Sequence, residues 1–317
     1  MTIADNPDMP ARDSLLVRQL ADLCHSEAVD ALCASPWLGR LPRRLLGRLL
    51  DRPVGLFAGR LARLDAGIDR LGLVQASRWG LSQWTTGLQV EGRAHLPGHG
   101  PLLIVCNHPG MVDALAVLAQ LSGHDTRLLV AERPLLGAMP ALCKHLITTP
   151  DSGTRRSHAM RLAARHLRAG HTLLTFPAGQ IEPDPAVRLP DALASLSSWS
   201  ASTACLARWV PGLTILPMAV TGVLAPRQRN HLWARQCPDE AARDWLAATR
   251  QILRRRPRDT QPTLRIGLPV ATSGGGSDDV NINTALSQAM TTLMLGTNDA
   301  QVQAPDGLRY REQPALR

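Results

Sequence analysis

The sequence predicts an α/β fold: a mixed, largely parallel central sheet flanked by helices, preceded by an N-terminal amphipathic helical hairpin. Three observations carry this. From about residue 85, short apolar runs alternate with amphipathic stretches of helical period, the texture of a layered α/β domain. Two arginine- and leucine-rich stretches come before them. The chain has 317 residues, 44% hydrophobic and 19% charged, enough to bury a large core and too apolar for a disordered or fibrous protein.

Residues 1–35 read as an acidic lead and a short helix. The first 13 carry three aspartates and no apolar run, so no secretory signal is read there. Over 38–51, Arg40, Arg43, Arg44, Arg48 and Asp51 share one side of a helical wheel, and Leu41, Leu45, Leu46, Leu49 and Leu50 the other. Residues 56–73 repeat the theme, with Arg60, Arg63 and Arg70 against Leu61, Leu64, Ile68 and Leu71. Such helices can rest in a headgroup layer, leucines among acyl chains and cations on lipid phosphate. They can equally form a hairpin packed on their own domain. Leu102 to Cys106 is then a buried strand, 112–121 a helix, 127–131 a strand and 135–145 a helix. Residues 156–169 form a strongly periodic helix closed by Gly170. Strands follow at 171–176, 213–220 and 264–270, with a helix at 240–253 between the last two. After the flexible TSGGGSDD stretch, 280–295 closes the fold as a helix. The expected organisation is a basic, membrane-associating helical region over 1–80, an α/β domain over 81–296 and a flexible tail over 297–317.

The 35 basic residues exceed the 26 acidic ones, for a net charge of +9, and all but Lys144 are arginine. A positive surface seeks phosphate, in nucleic acid, anionic lipid or a phosphorylated ligand. With two Phe and one Tyr, a base-stacking platform is poorly supplied. The RQILRRRPRD run at 250–259 ends a helix, where cations complement the dipole, so no nucleic-acid partner is expected. Six cysteines without a C-x-x-C pair suit a reducing, cytoplasmic compartment. Trp209 to Pro226 is long enough to approach a membrane span, but its prolines and glycines favour a buried strand with turns.

No G-x-S-x-G elbow, Walker loop, H-E-x-x-H or G-x-G-x-x-G follows a strand, and no metal ligand set is read. The informative segment is LLIVCNHPGMVDALAVLA, 102–119. A strand empties into Asn107 and His108, where open α/β sheets place ligands. Asp113 follows at the first turn of the next helix. With Pro109 and Gly110 bending the chain, its carboxylate can reach back to one imidazole nitrogen, leaving the other as a general base. The plainer alternative is Asp113 as a helix-start dipole partner. Sixty-eight residues after His108 a second strand ends in Phe176, Pro177, Ala178, Gly179 and Gln180, and VPGLTILPMAV follows at 210–220.

These blocks, NHPGMVD, FPAGQ and VPGLTILPMAV, with IGLPV at 266–270, resemble in order and distance the glycerolipid acyltransferase superfamily that includes the lysophosphatidic acid acyltransferases. The resemblance spans about 80–295. It implies direct transfer from acyl-CoA or an acyl carrier protein to a lyso-lipid or glycerol-phosphate-type acceptor, without cofactor, metal or covalent enzyme intermediate. It implies His108 as base, Asp113 as its partner, and Asn107, Phe176, Pro177, Gly179 and Gln180 around the substrate. It also implies peripheral attachment to anionic lipid on the inner face of the cell membrane. Where the commonest family pattern reads F-P-E-G-T-R-S, this chain has Ala178, Gln180 and Ile181. The missing arginine puts a phosphate-bearing acceptor in doubt, and FPAG forms occur in relatives resembling ornithine-lipid acyltransferases. Arg133, Arg155 and Arg156, with Arg188, are the substitute cations nearby in sequence. A catalytically silent membrane-peripheral protein is the rival reading.

Overall fold

The computed structural model describes residues 14–33, 38–40, 42–149, 153–254, 260–271 and 279–296. The expected flexible tail and the TSGGG stretch lie outside the described residues. Three helices lead: α1 (Ser14–Cys33), α2 (Arg43–Leu71) and α3 (Leu73–Trp84). The rest alternates: β1 (Gln89–Glu91), β2 (Leu102–Cys106), α4 (Met111–Leu118), β3 (Thr126–Ala131), α5 (Pro134–Gly137), α6 (Pro140–Cys143), β4 (Leu146–Thr149) and α7 (Gly153–Arg168). Then come β5 (Thr172–Thr175), α8 (Leu189–Ser195), α9 (Ser202–Trp209), β6 (Thr214–Thr221), α10 (Pro226–Arg229), α11 (Glu240–Ile252), β7 (Thr263–Ile266), β8 (Val270–Ala271) and α12 (Asp279–Leu295). The sheet order is β1-β7-β6-β2-β5-β3-β4, with β8 beside β6. Strands β6, β2, β5, β3 and β4 run parallel; β7 and β8 pair antiparallel with β6. This is the mixed, largely parallel sheet expected.

The run Leu102–Cys106 has no polar alternation because both faces of β2 are covered. Leu102, Ile104 and Cys106 join an apolar cluster with α2, α3 and α4, while Leu103 and Val105 join one with α7, α9 and α12. Trp79, Trp84, Leu61 and Leu64 belong to the first cluster, so the leading helices share the core of the sheet. The 80/81 boundary falls inside α3.

Two expected helical stretches, 38–51 and 56–73, are largely one helix, α2, with Pro53 inside it. A proline there forgoes one backbone hydrogen bond, and the buried stripe Leu46, Leu50, Val54, Phe57 and Leu61 holds the helix through it. The turn at Gly72 (φ 81°) then starts α3. The hairpin arm facing α2 is therefore α1. The apolar faces divide accordingly. Leu61, Leu64 and Ile68 are buried, while Leu45 and Leu49 remain 46% and 64% exposed.

Two strands escaped the sequence reading, β1 and β4. Both are edge strands, short and half exposed, so neither carries a clean apolar period. The expected helix over 135–145 is two single turns, each opened by a proline, with β4 after them. The expected strand over 264–270 is two pieces, because Gly267 and Pro269 interrupt it. That interruption accommodates Pro217 in the middle of β6. Gly267 N–H donates to the Pro217 carbonyl at 2.9 Å, so the side on which Pro217 lacks a donor faces the gap between β7 and β8.

Asp65, 4% exposed on α2, ties the leading helices to the sheet. Its carboxylate accepts the N–H groups of Ala141 (3.2 Å) and Leu142 (2.8 Å). It thereby supplies the cap that Met139 cannot give α6. Asp65→Ala is expected to destabilise the protein by about 1–3 kcal/mol, read as a lower urea midpoint at unchanged slope.

Candidate active site

Because β6, β2, β5, β3 and β4 run parallel, the segments leaving them gather on one edge of the sheet. His108 follows β2 directly, and its position is fixed from three directions. Its Nδ1–H donates to Asp113 Oδ2 at 2.8 Å. Its backbone N–H donates to Glu182 Oε2 at 2.8 Å, and its carbonyl accepts the Glu182 N–H at 2.8 Å. Its ring lies against Phe176, centroids 4.5 Å apart and tilted 31°. Among the described residues Nε2 carries no hydrogen bond, and the side chain is 28% exposed. This nitrogen is the one left for a ligand.

Asp113 is fully buried and sits at the third position of α4. Besides His108, it accepts the Gly110 N–H at 2.9 Å and the Ala114 N–H at 2.6 Å. Both sequence alternatives for this residue are thus realised together: it steadies a helix start and it holds an imidazole. Burial pushes the His108 pKa down, but the Asp113 charge and hydrogen bond, with the Glu182 charge, outweigh it. The result is a pKa raised above the usual 6.5. Beneath the pair, burial raises the Cys106 thiol well above its ordinary range, which leaves it protonated and inert.

The Phe-Pro-Ala-Gly bend after β5 is closed by Gly179 N–H on the Phe176 carbonyl at 3.0 Å, with Gly179 at φ 66°, a left-handed turn that favours glycine. Gly179, Gln180 and Ile181 are exposed, and Pro177 is buried with its carbonyl accepting Ser200 N–H at 3.0 Å. Asn107 points the other way. It is fully buried, and its amide closes a two-way pair with the Val220 backbone at 2.8 and 2.9 Å. It fastens β2 to β6 and has no face toward a ligand.

Residues 87–221, from just before β1 to the end of β6, match the sequence profile of the Acyltransferase family. Over that stretch the chain is similar to the Acyltransferase family. This agrees with the resemblance read from NHPGMVD, FPAGQ and VPGLTILPMAV. The chain is also similar to a solved structure, the 1-acyl-sn-glycerophosphate (LPA) acyltransferase PlsC from Thermotoga maritima. The two are 17% identical, with TM-score 0.43 over 90% of this chain and 97% of that one. No curated protein matches the chain.

The four arginines named above separate in the structure. Arg133 follows β3 and Arg155 and Arg156 open α7 after β4, so all three lie on the same sheet edge as His108. All three are exposed, and no hydrogen bond or ion pair engages their side chains among the described residues. With strands about 4.8 Å apart, Arg133 lies roughly two spacings from β2 and the α7 pair roughly three. Arg188 is already committed, to Asp191 at 2.7 Å and Asp244 at 2.9 Å.

The sequence reading missed Glu182 and Asp184, which hold the candidate site together. Glu182 is 5% exposed. One oxygen takes the His108 N–H; the other takes Ser195 Oγ–H at 2.7 Å and Trp199 Nε1–H at 2.8 Å. Asp184, 3% exposed, accepts the N–H groups of Ala186, Gly222 and Leu224 at 2.8 to 3.0 Å. Burial raises its pKa, opposed by these N–H donors. The available signal was two carboxylates directly after a Pro-Gly bend, Gln180-Ile181-Glu182-Pro183-Asp184.

The sign of the His108 shift is testable by NMR titration of its ring. Wild type is expected to titrate above 6.5. In Asp113→Asn the main raising influence is gone and burial remains, so the midpoint is expected to fall below that of wild type. An equal midpoint in both proteins would sever the pair.

Proposed function

We propose that this chain transfers a fatty acyl group from an acyl thioester, acyl-CoA or acyl carrier protein, to a hydroxyl of a lyso-lipid, in membrane-lipid synthesis. The observation that carries this reading is the 2.8 Å bond between His108 and a carboxylate with no exposure, in a domain of acyltransferase type. His108 Nε2 takes the hydroxyl proton as that oxygen attacks the thioester carbonyl carbon. The tetrahedral intermediate collapses with C–S cleavage, and the imidazolium returns its proton to the leaving thiolate. Asp113 holds the tautomer and steadies the imidazolium. Base catalysis of this kind contributes roughly 10²–10⁴-fold, and holding thioester and hydroxyl together supplies much of the rest.

The acceptor is proposed to be a lyso-lipid without a headgroup phosphate, of the ornithine-lipid type. Ile181, 50% exposed, stands where the resembled family has arginine, and Arg188 is paired elsewhere. The competing reading, a lysophosphatidic acid acceptor, would use Arg133, Arg155 and Arg156. No helix among the described residues is long and apolar enough to cross a membrane. Contact with anionic lipid is proposed through the exposed Leu45 and Leu49, which follow Arg44 and Arg48 on α2.

Thiol release from acyl-CoA in the presence of lyso-lipid tests the whole. His108→Ala is expected to lower turnover by roughly 10²-fold or more with folding retained, and undiminished turnover defeats the mechanism. Since the base must be neutral, turnover should fall as pH drops through the raised His108 pKa, and Asp113→Asn should move that limb toward acid while lowering the plateau. With lysophosphatidic acid beside a lyso-ornithine lipid as acceptors, the second is expected to be preferred. A KM for lysophosphatidic acid that rises in Arg133→Gln or in Arg155→Gln/Arg156→Gln would reverse that assignment. Replacing Leu45 and Leu49 by Gln is expected to weaken binding to anionic vesicles and spare turnover of a short-chain soluble acceptor.

A further inference from the structure

On the opposite edge of the sheet, where β3 and β5 begin, a second cluster of side chains gathers. Among the described residues, Asp125, His166 and His171 are the one group of three whose potential ligand atoms all lie within 4.8 Å of one another. We propose that these three residues form a site for a divalent first-row metal ion of the zinc class, separate from the acyltransferase site.

The backbone builds the cluster. Helix α7 ends in His-Leu-Arg-Ala-Gly-His, 166–171. Gly170 adopts φ 84°, and the turn closes through Gly170 N–H on the Leu167 carbonyl (2.9 Å) and His171 N–H on the His166 carbonyl (3.4 Å). That reversal brings His171 back over the ring of His166, centroids 4.9 Å apart. Asp125 comes from pairing of parallel strands. Thr126 is opposite Thr172, so Asp125 and His171 occupy the preceding position on neighbouring strands. The Asp125 carbonyl accepts Thr172 N–H at 3.0 Å. All three residues are therefore held by main-chain bonds, and His171 Nδ1 already stands 3.6 Å from Asp125 Oδ2.

The second observation is the tautomer of His166, a ring that is only 7% exposed. Its Nε2–H donates to the Thr172 carbonyl at 3.0 Å, and this fixes the lone pair on Nδ1. A ring N–H on a backbone carbonyl is the arrangement that orients metal-bound histidines. Two imidazoles and one carboxylate suit zinc and its neighbours, and solvent can take the fourth position. Ligands at 2.0–2.1 Å from zinc stand about 3.4 Å apart in a tetrahedron. The ligand atoms must close from within 4.8 Å, and Asp125 and His171, whose side chains are 60% and 40% exposed, have room to turn toward a common ion. Arg127 is the nearby cation acting on His166, and the Asp125 carboxylate offsets its charge. An ion bound here would clamp the end of α7 to the start of β3 and β5.

Zinc chloride titrated into chelator-treated full-length protein tests the assignment, with a competing indicator for affinity and thermal melting for stability. The wild type is expected to bind one ion at this site and to melt at a higher temperature when it is loaded. Asp125→Asn and His171→Ala, at exposed positions, are each expected to lose at least about tenfold in affinity and to lose the rise in Tm. His158→Ala, an exposed histidine on the same helix, should keep both. Cobalt should give a visible d–d spectrum in wild type that Asp125→Asn and His171→Ala lack. Affinity unchanged in the two ligand variants, or no Tm response at saturating zinc, overturns the site.

Discussion

A small set of buried polar side chains fixes the whole carboxyl edge of the sheet. Asn107 ties the end of β2 to β6, Glu182 ties the loop after β5 to the loop after β2, and Asp184 ties that same loop to the one after β6. Each is under 6% exposed, so an unmade hydrogen bond at any of them would carry the full desolvation penalty. The loops have few other ways to be satisfied. The imidazole of His108 is held by this lashing as well as by its own carboxylate partner.

The electrostatics follow from the same arrangement. Asp113 receives two backbone N–H groups and the imidazole, and Glu182 receives a backbone N–H, an indole and a hydroxyl. Burial lowers the His108 pKa, and the charges of Asp113 and Glu182 with the Asp113 hydrogen bond outweigh it, so His108 holds a proton more strongly than a free imidazole. The adjacent Phe176 ring limits the rotation of the imidazole.

Much of this was legible in the chain. Apolar runs read at 102–106, 171–176 and 213–220 marked the central strands because both their faces are covered, and the Asn-His and Phe-Pro-Ala-Gly ends marked the candidate site because polar and bending residues interrupt those runs. The edge strands β1 and β4 were not legible, since half-exposed three- and four-residue segments have no period to detect. Glu182 and Asp184 looked like loop acids; only the convergence of three loops makes them internal. Leu61 and Leu64 read as one face of a surface helix, yet they are buried in the apolar cluster with α3 and α4, whereas Leu45 and Leu49 on the same helix stay in solvent. A helical wheel gives the direction of a face and not what lies opposite it.

The contacts around His108 also differ greatly in how far apart along the chain their partners lie. His108 and Asp113 are five residues apart, whereas Glu182 lies 74 residues beyond His108 and Val220 lies 113 beyond Asn107. During synthesis the local pair can meet as soon as the first helical turn of α4 forms, but the braces exist only after β5 and β6 have emerged and docked. The imidazole therefore acquires its final orientation late, when the last parallel strand threads beside β2. A ribosome stalled before that strand would carry His108 and Asp113 without the frame that holds them.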